Sequence, residues 1–152
     1  MSLPIKRHDE KTLQYYDLPP FEAAIDAGVP MVMVGHLIYP AIDPHNPASL
    51  SRDAISMLRR DVGFKGVVVT DDLTMAGAKG GGTTAEAAVE AIEAGADLLV
   101  VSSLPQQQAD AYDAVVARSS QGRCRVRASG IRSSACSGSR RSTTRTGRAG
   151  IR

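Results

Sequence analysis

The chain has 152 residues, 43% of them hydrophobic, which suits about one globular domain and argues against wholesale disorder. Its formal net charge of +2 averages two unlike parts: residues 1–117 hold all 16 acidic residues and eight of the 18 basic ones, while residues 118–152 hold ten arginines and no acid. No apolar run approaches the roughly 18 residues of a membrane span, no apolar stretch follows the basic start MSLPIKRHDEK as in a secretory leader, and three histidines with Cys124 and Cys136 lack zinc-ligand spacing. No metal, cofactor or membrane partner is therefore expected, and the expected location is cytoplasmic.

In chain order, residues 1–16 show no period and read as loop or frayed terminus. DLPPFEAAIDAG has helix grammar: Asp17 can cap, Pro19 and Pro20 suit the first turn, and Gly28 stops it. VPMVMVGHLI is a near-continuous apolar run of strand length, the pattern of a parallel strand covered on both faces. YPAIDPHNPASLS reads as loop from its three prolines, and His45 within it as a solvated residue. Ser49 or Ser51 can cap the helix SRDAISMLRRDVG, whose Ile55 and Leu58, with Ala54, form one apolar stripe ending at Gly63. FKGVVVT is a second buried strand. DDLTMAGAKGGG is a glycine-rich loop, and its Gly80-Gly81-Gly82 precedes a helix as in phosphate cradles, but no Lys-Ser/Thr follows, so it reads as a turn. TTAEAAVEAIEAGA is a helix capped by Thr83 or Thr84, with Glu86 in its first turn and Gly95 at its end. DLLVVSS is a third strand, and PQQQADAYDAVVAR a further helix.

The body thus alternates strand and helix three times, which predicts a parallel sheet with right-handed crossovers. In such sheets catalytic groups gather at the C-terminal strand ends. The residues there are His36, then Thr70-Asp71-Asp72, then Ser102-Ser103.

The segment 118–152 is rich in Arg and Ser, with almost no aliphatic periodicity. Basic, Ser-rich composition can mark a nucleic-acid-binding arm. Arginine without lysine, abutting a helix at Ala117, instead reads as a GC-rich gene translated in a shifted frame, or as disordered chain. Nucleic acid is not the expected partner.

Asp71 is the residue with the most chemistry to offer. It follows an apolar strand and Thr70, so it projects from a strand tip into the loop face. A carboxylate there can attack an electrophilic carbon, as one carboxylate does in retaining glycosidases. The alternative is that Asp71 or Asp72 only caps the next turn.

The stretch MLRRDVGFKGVVVTDDLT, residues 57–74, resembles the active-site signature of glycoside hydrolase family 3. That signature runs two aliphatics, a basic residue, any residue, a charged or polar one, four free positions, Gly, three aliphatics, Ser or Thr, then Asp. Met57, Leu58, Arg59, Asp61, Gly66, Val67, Val68, Val69, Thr70, Asp71 and Thr74 fit it. AAIDAGVPMVMVGHLIYPAIDPHNPASLS and AAVEAIEAGADLLVVSS resemble the same domain, and DDLTM, with Asp72 where many β-glucosidases have Trp, resembles its β-N-acetylhexosaminidase branch. The resemblance covers about residues 17–117.

This resemblance implies a partial (β/α)8 (TIM-type) barrel of about three C-terminal βα units, with residues 1–16 as frayed start and 118–152 as a disordered or frame-shifted basic tail. It implies Asp71 as nucleophile, Met33 and His36 as lining of the sugar subsite, Asp72 as a brace, and a β-linked N-acetylhexosamine as carbohydrate substrate. A whole barrel needs about 250 residues. The acid/base His–Asp of the family's KHFPGHG…DSH stretch, expected just before positions 2–4, has no counterpart here, and His8-Asp9 stands in another context. The chain therefore reads as a glycosidase fragment, inactive alone. A β-glucosidase or β-xylosidase of the same family, a nucleic-acid-binding protein acting through the Arg tail, and a non-catalytic α/β binding module are the alternatives; oligomeric state is left open.

Overall fold

A computed structural model describes residues 4–79, 82–102 and 104–120, leaving out the Lys79 side chain. Gly80, Gly81, Ser103, Cys124, Cys136 and all of the basic segment beyond Ser120 lie outside the described residues.

Three parallel strands make the sheet: β1 (Met31–Val34), β2 (Val67–Asp72) and β3 (Leu98–Val100), side by side in that order. Val32 faces Val68 and Val34 faces Thr70 across the first pair, while Val69 faces Leu98 across the second. Sequential parallel order requires a crossover after each strand. Helix α3 (Arg52–Arg60) supplies the first, and α4 (Ala76–Lys79) with α5 (Thr84–Ala94) the second; α6 (Pro105–Ser120) follows β3.

Local chemistry explains the boundaries. Ser51, rather than Ser49, caps α3, its hydroxyl oxygen accepting from the Ala54 N–H at 3.2 Å. Thr83 and Glu86 form a reciprocal capping box on α5, whose bonds hold the Glu86 carboxyl below its ordinary range. Gly95 ends that helix at φ +115°, a left-handed conformation that suits glycine. Helix α6 runs three residues past the boundary drawn at Ala117, and its Arg118 Nε donates to Glu93 Oε1 of α5 at 2.5 Å.

Residues 10–17, expected as loop, are helical. Asp9 caps α1 (Glu10–Thr12) by accepting from the Thr12 N–H at 2.8 Å, and a π-helical turn (Leu13–Asp17) continues it. Buried Leu13 anchors this turn, while Tyr15 and Tyr16 face solvent. Asp17 does not cap α2 (Pro19–Asp26), which starts after Leu18 without a side-chain cap. Its carboxylate accepts instead from His8 Nδ1 at 2.6 Å.

The core lies between the sheet and its helices. Val32 and Val68 meet Ile55, Leu58, Phe64 and Leu73, together with a run of small side chains: Ala87, Ala88, Ala91, Ala94 and Ala111. These alanines let α5 sit close against α6 and the sheet. On the opposite face the two edge strands are open, contrary to the two-sided burial that the apolar runs predicted, while Val69 of the central strand is buried. Met31, Met33 and Leu98 are 43%, 58% and 46% exposed. An unbroken apolar strand states that both faces suit burial; it does not state what covers them.

Candidate functional site

The site lies at the C-terminal ends of the three strands. Thr70, Asp71 and Asp72 close β2, His36 stands just past β1, and Ser102 just past β3. Between Val69 and Asp72 the register against β3 slips: Val69 pairs with Leu98, and Asp72 with Val100. One extra residue on β2 is thereby inserted, a bulge of the kind that re-aims side chains at strand ends.

Side chains complete the ladder there. The Val100 N–H donates to Thr70 Oγ1 at 3.2 Å, and the Ser102 N–H donates to Asp72 Oδ1 at 3.2 Å. The Ser102 hydroxyl also donates to Asp72 Oδ2, and Thr74 donates to the same carboxylate through its N–H at 3.0 Å and its hydroxyl at 2.8 Å. Burial pushes the Asp72 carboxyl up, but the donors from Ser102 and Thr74 outweigh it and hold the group at about 2. Asp72 is ionised and fully engaged, which suits a brace and leaves it no free oxygen for attack.

Asp71 lies between these two anchored side chains, within the bulged end of β2. It is half-buried. Its Oδ1 accepts from the Asp72 N–H at 2.7 Å. Among the described residues no other group donates to it, which leaves Oδ2 without a hydrogen-bond donor.

His36 is 4% exposed. Its Nε2 donates to the Asp72 carbonyl at 2.9 Å, and its Nδ1 lies 2.6 Å from Ser49 Oγ. A carbonyl only accepts, so Nε2 carries a proton; in the neutral ring Nδ1 then accepts from the Ser49 hydroxyl. The structure therefore brings His36 to the backbone next to Asp71, with both nitrogens occupied. Met33 stands on the open face directly opposite Val69. His45 is exposed, and its N–H donates to Asp43 Oδ1 at 2.9 Å. His8 pairs with Asp17 rather than with its neighbour Asp9.

The signature divides into two ends. Arg59 reaches away from Asp71 to the start of β2 and β3, donating to the Gly66 carbonyl at 2.5 Å and to Asp97 Oδ2. Asp97 in turn accepts from the Val68 N–H at 2.8 Å. At Gly66 a β-carbon would stand 2.4 Å from the Pro30 carbonyl oxygen and 2.6 Å from the Phe64 ring. These motif positions clamp the fold, whereas Thr70, Asp71, Asp72 and Thr74 form the site. Reading the sequence missed Ser102 and Ser49 as partners of that site. Ser102 was visible only as a strand-tip residue, and Ser49 only as a possible cap.

Elsewhere, shallow grooves run between α5 and α6, past Glu90 and Arg118, and beside Thr83, Gln107 and Asp110; neither includes Asp71. No group of His, Cys, Asp and Glu that could hold a metal, and no helix long and apolar enough to cross a membrane, occurs among the described residues.

Comparison with known proteins identifies relatives of this chain. A β-hexosaminidase of Neisseria meningitidis is 42% identical over 104 residues, covering 68% of this chain and 28% of its own. One from Chromobacterium violaceum is 42% identical over 113 residues, covering 72% and 31%. This chain thus spans less than a third of those relatives' length. Among solved structures, a glycoside hydrolase family 3 β-N-acetylglucosaminidase from a Paenibacillus species superposes with a TM-score of 0.71 at 40% identity, over 80% of this chain and 23% of its own. A β-N-acetylhexosaminidase from Beutenbergia cavernae gives 0.69 at 38%, over 80% and 37%. The family description "Glycosyl hydrolase family 3 N terminal domain" matches residues 1–133, wider on both sides than the 17–117 drawn from the motifs. A match of that extent means that this chain belongs to the glycosyl hydrolase family 3 N-terminal domain family.

Proposed function

We propose that these residues form the nucleophile-bearing part of a retaining glycosidase acting on terminal β-linked N-acetylhexosamine. The observation that carries this reading is Asp71 itself: a half-buried carboxylate at the tip of the central strand, with Oδ1 held by the Asp72 N–H and no donor to Oδ2 among the described residues. In the first step Oδ2 attacks the anomeric carbon, the glycosidic C–O bond breaks, and the leaving oxygen takes a proton from a general acid. Water then attacks the same carbon, the Asp71–sugar ester breaks, and the acid recovers its proton. The sugar preference follows the β-hexosaminidase names of the relatives at 42% identity, together with Asp72 in DDLTM. Met33, exposed on β1, is the proposed subsite wall; His36 contributes through the loop it braces.

The bare sheet face and the sequential parallel strands fit a segment of a (β/α)8 barrel, in which helices cover only the outside. Three strands are about three-eighths of such a barrel and wall one side of a sugar. Among the described residues none is set against Asp71 to protonate a leaving oxygen, and that help alone is worth about 10²–10⁴-fold. The 152 residues by themselves are accordingly expected to give no turnover.

The test is a pair of assays with a chromogenic β-N-acetylglucosaminide. The chain alone stays at background. A chimera in which residues 17–117 replace their counterpart in the Chromobacterium violaceum relative hydrolyses the substrate, and Asp71→Asn lowers its rate by about 10³-fold or more. A chimera whose Asp71→Asn form keeps the parent rate would refute the nucleophile, and turnover by the isolated chain would refute its dependence on further barrel units.

A further inference from the structure

The tip of β3 has no role in the chemistry proposed above, yet it holds the residue next to Asp71 from two directions. Ser102 donates to Asp72 through both its N–H (3.2 Å, to Oδ1) and its hydroxyl (to Oδ2). Asp72 spends every remaining polar group on its surroundings. Its carboxylate takes two bonds from Thr74, its carbonyl takes one from His36 and one from the Met75 N–H at 3.0 Å, and its N–H goes to Asp71. At the bulge, Thr70 binds the Val100 N–H in the same sideways manner. Two alternate side chains of β2 therefore reach across to the Val100 N–H at the end of β3 and to the Ser102 N–H just past it.

We propose that Ser102 is a positioning residue for Asp71, acting through Asp72: the β3 tip clamps the Asp72 carboxylate so that the Asp72 N–H stays aimed at Asp71 Oδ1. Ser102 touches neither substrate nor Asp71. Its hydroxyl restrains the Asp72 side chain and, through Cα, the preceding peptide unit that carries the donor, while His36 and the Met75 N–H hold the carbonyl of the following peptide unit. The orientation of the Asp71 carboxylate, held through Oδ1, follows from that restraint. The inference deepens the glycosidase reading only in calling Asp71 a nucleophile; the geometry it describes exists without a sugar.

Ser102 is exposed, so its replacement leaves the core untouched. The experiment uses the full chain, isotopically labelled, in four forms: unaltered, Ser102→Ala, Ser102→Thr and Asp72→Ala. Nuclear magnetic resonance reads the Asp71 carboxyl carbon shift and the exchange rate of the Asp72 amide proton, and urea unfolding reads overall stability. Loss of a bond to a charged acceptor should speed exchange of the Asp72 amide about tenfold in Ser102→Ala. The Asp71 carboxyl signal should move with it. Asp72→Ala should exceed both changes, and Ser102→Thr, which keeps the hydroxyl, should restore the unaltered values. An Asp71 signal and an Asp72 exchange rate that stay fixed in Ser102→Ala would overturn the proposal. Equal changes at distant amides such as Ala88 and Ala91 would overturn it too, because they would reveal general loosening. Failure of the turnover assays with these signals intact would count against the glycosidase reading alone.

Discussion

Asp72 carries a stability that depends on pH. Burial alone would raise its carboxyl above the ordinary 3.8, but the bonds from Ser102 and Thr74 bring it to about 2. A carboxyl lowered on folding stabilises the fold fully above its unfolded value and loses that contribution as pH falls toward the folded one. The window therefore runs from about pH 4 down to about pH 2, and Asp43, lowered to about 2 in its own loop, titrates in the same range. Asp72→Asn should remove one share of this acid sensitivity. Its urea midpoint should fall less steeply than that of the unaltered chain as the pH drops through the window; parallel curves would contradict the assignment. Asp71 could be singled out in the amino-acid sequence because it closes the family 3 signature; its place after an apolar strand alone equally suits a turn cap. The Ser49–His36–Asp72 and Ser102–Asp72 ties could not. Serine is common in loops, and nothing in 13 or 30 residues of separation marks those pairs.

At the level of elements, caps and stops were legible where one local motif decides them. Thr83-x-x-Glu86 became a capping box, and Gly95 took the left-handed conformation at the helix end. Thr83→Ala should cost about 1 kcal/mol of stability, measured by urea unfolding. The helical turns at residues 10–17 were not legible, because their anchor is a single buried side chain, Leu13, in an otherwise polar stretch without a 3.6-residue period. Gly66 makes a sharper test of packing. Its missing β-carbon leaves room for the Pro30 carbonyl and the Phe64 ring, which Arg59 also covers at 5.6 Å from the ring centroid. Gly66→Ala should destabilise by about 3 kcal/mol while leaving the Asp71 carboxyl signal in place. An unchanged unfolding midpoint would show that the Arg59–Gly66–Asp97 clamp yields easily.

For the molecule as a whole, the open sheet face governs behaviour. The strands were legible as apolar runs, but a run fit for burial on two sides gives no account of which partner buries it. Here Met31, Met33 and Leu98 form an exposed apolar patch between two unpaired parallel edges, and such surfaces associate. The 152-residue chain should bind an apolar dye and self-associate with rising concentration, and Met33→Lys should weaken both. Monodisperse behaviour without dye binding would mean that this face is covered in solution. Within the proposed barrel the same face becomes the wall beside Asp71. The most direct test of that claim is mass spectrometry of the Chromobacterium violaceum chimera, acid-quenched during reaction with a slow, fluorinated N-acetylglucosaminyl substrate. The predicted result is one sugar esterified to Asp71; an adduct on another side chain, or brisk hydrolysis with no adduct at all, would contradict it.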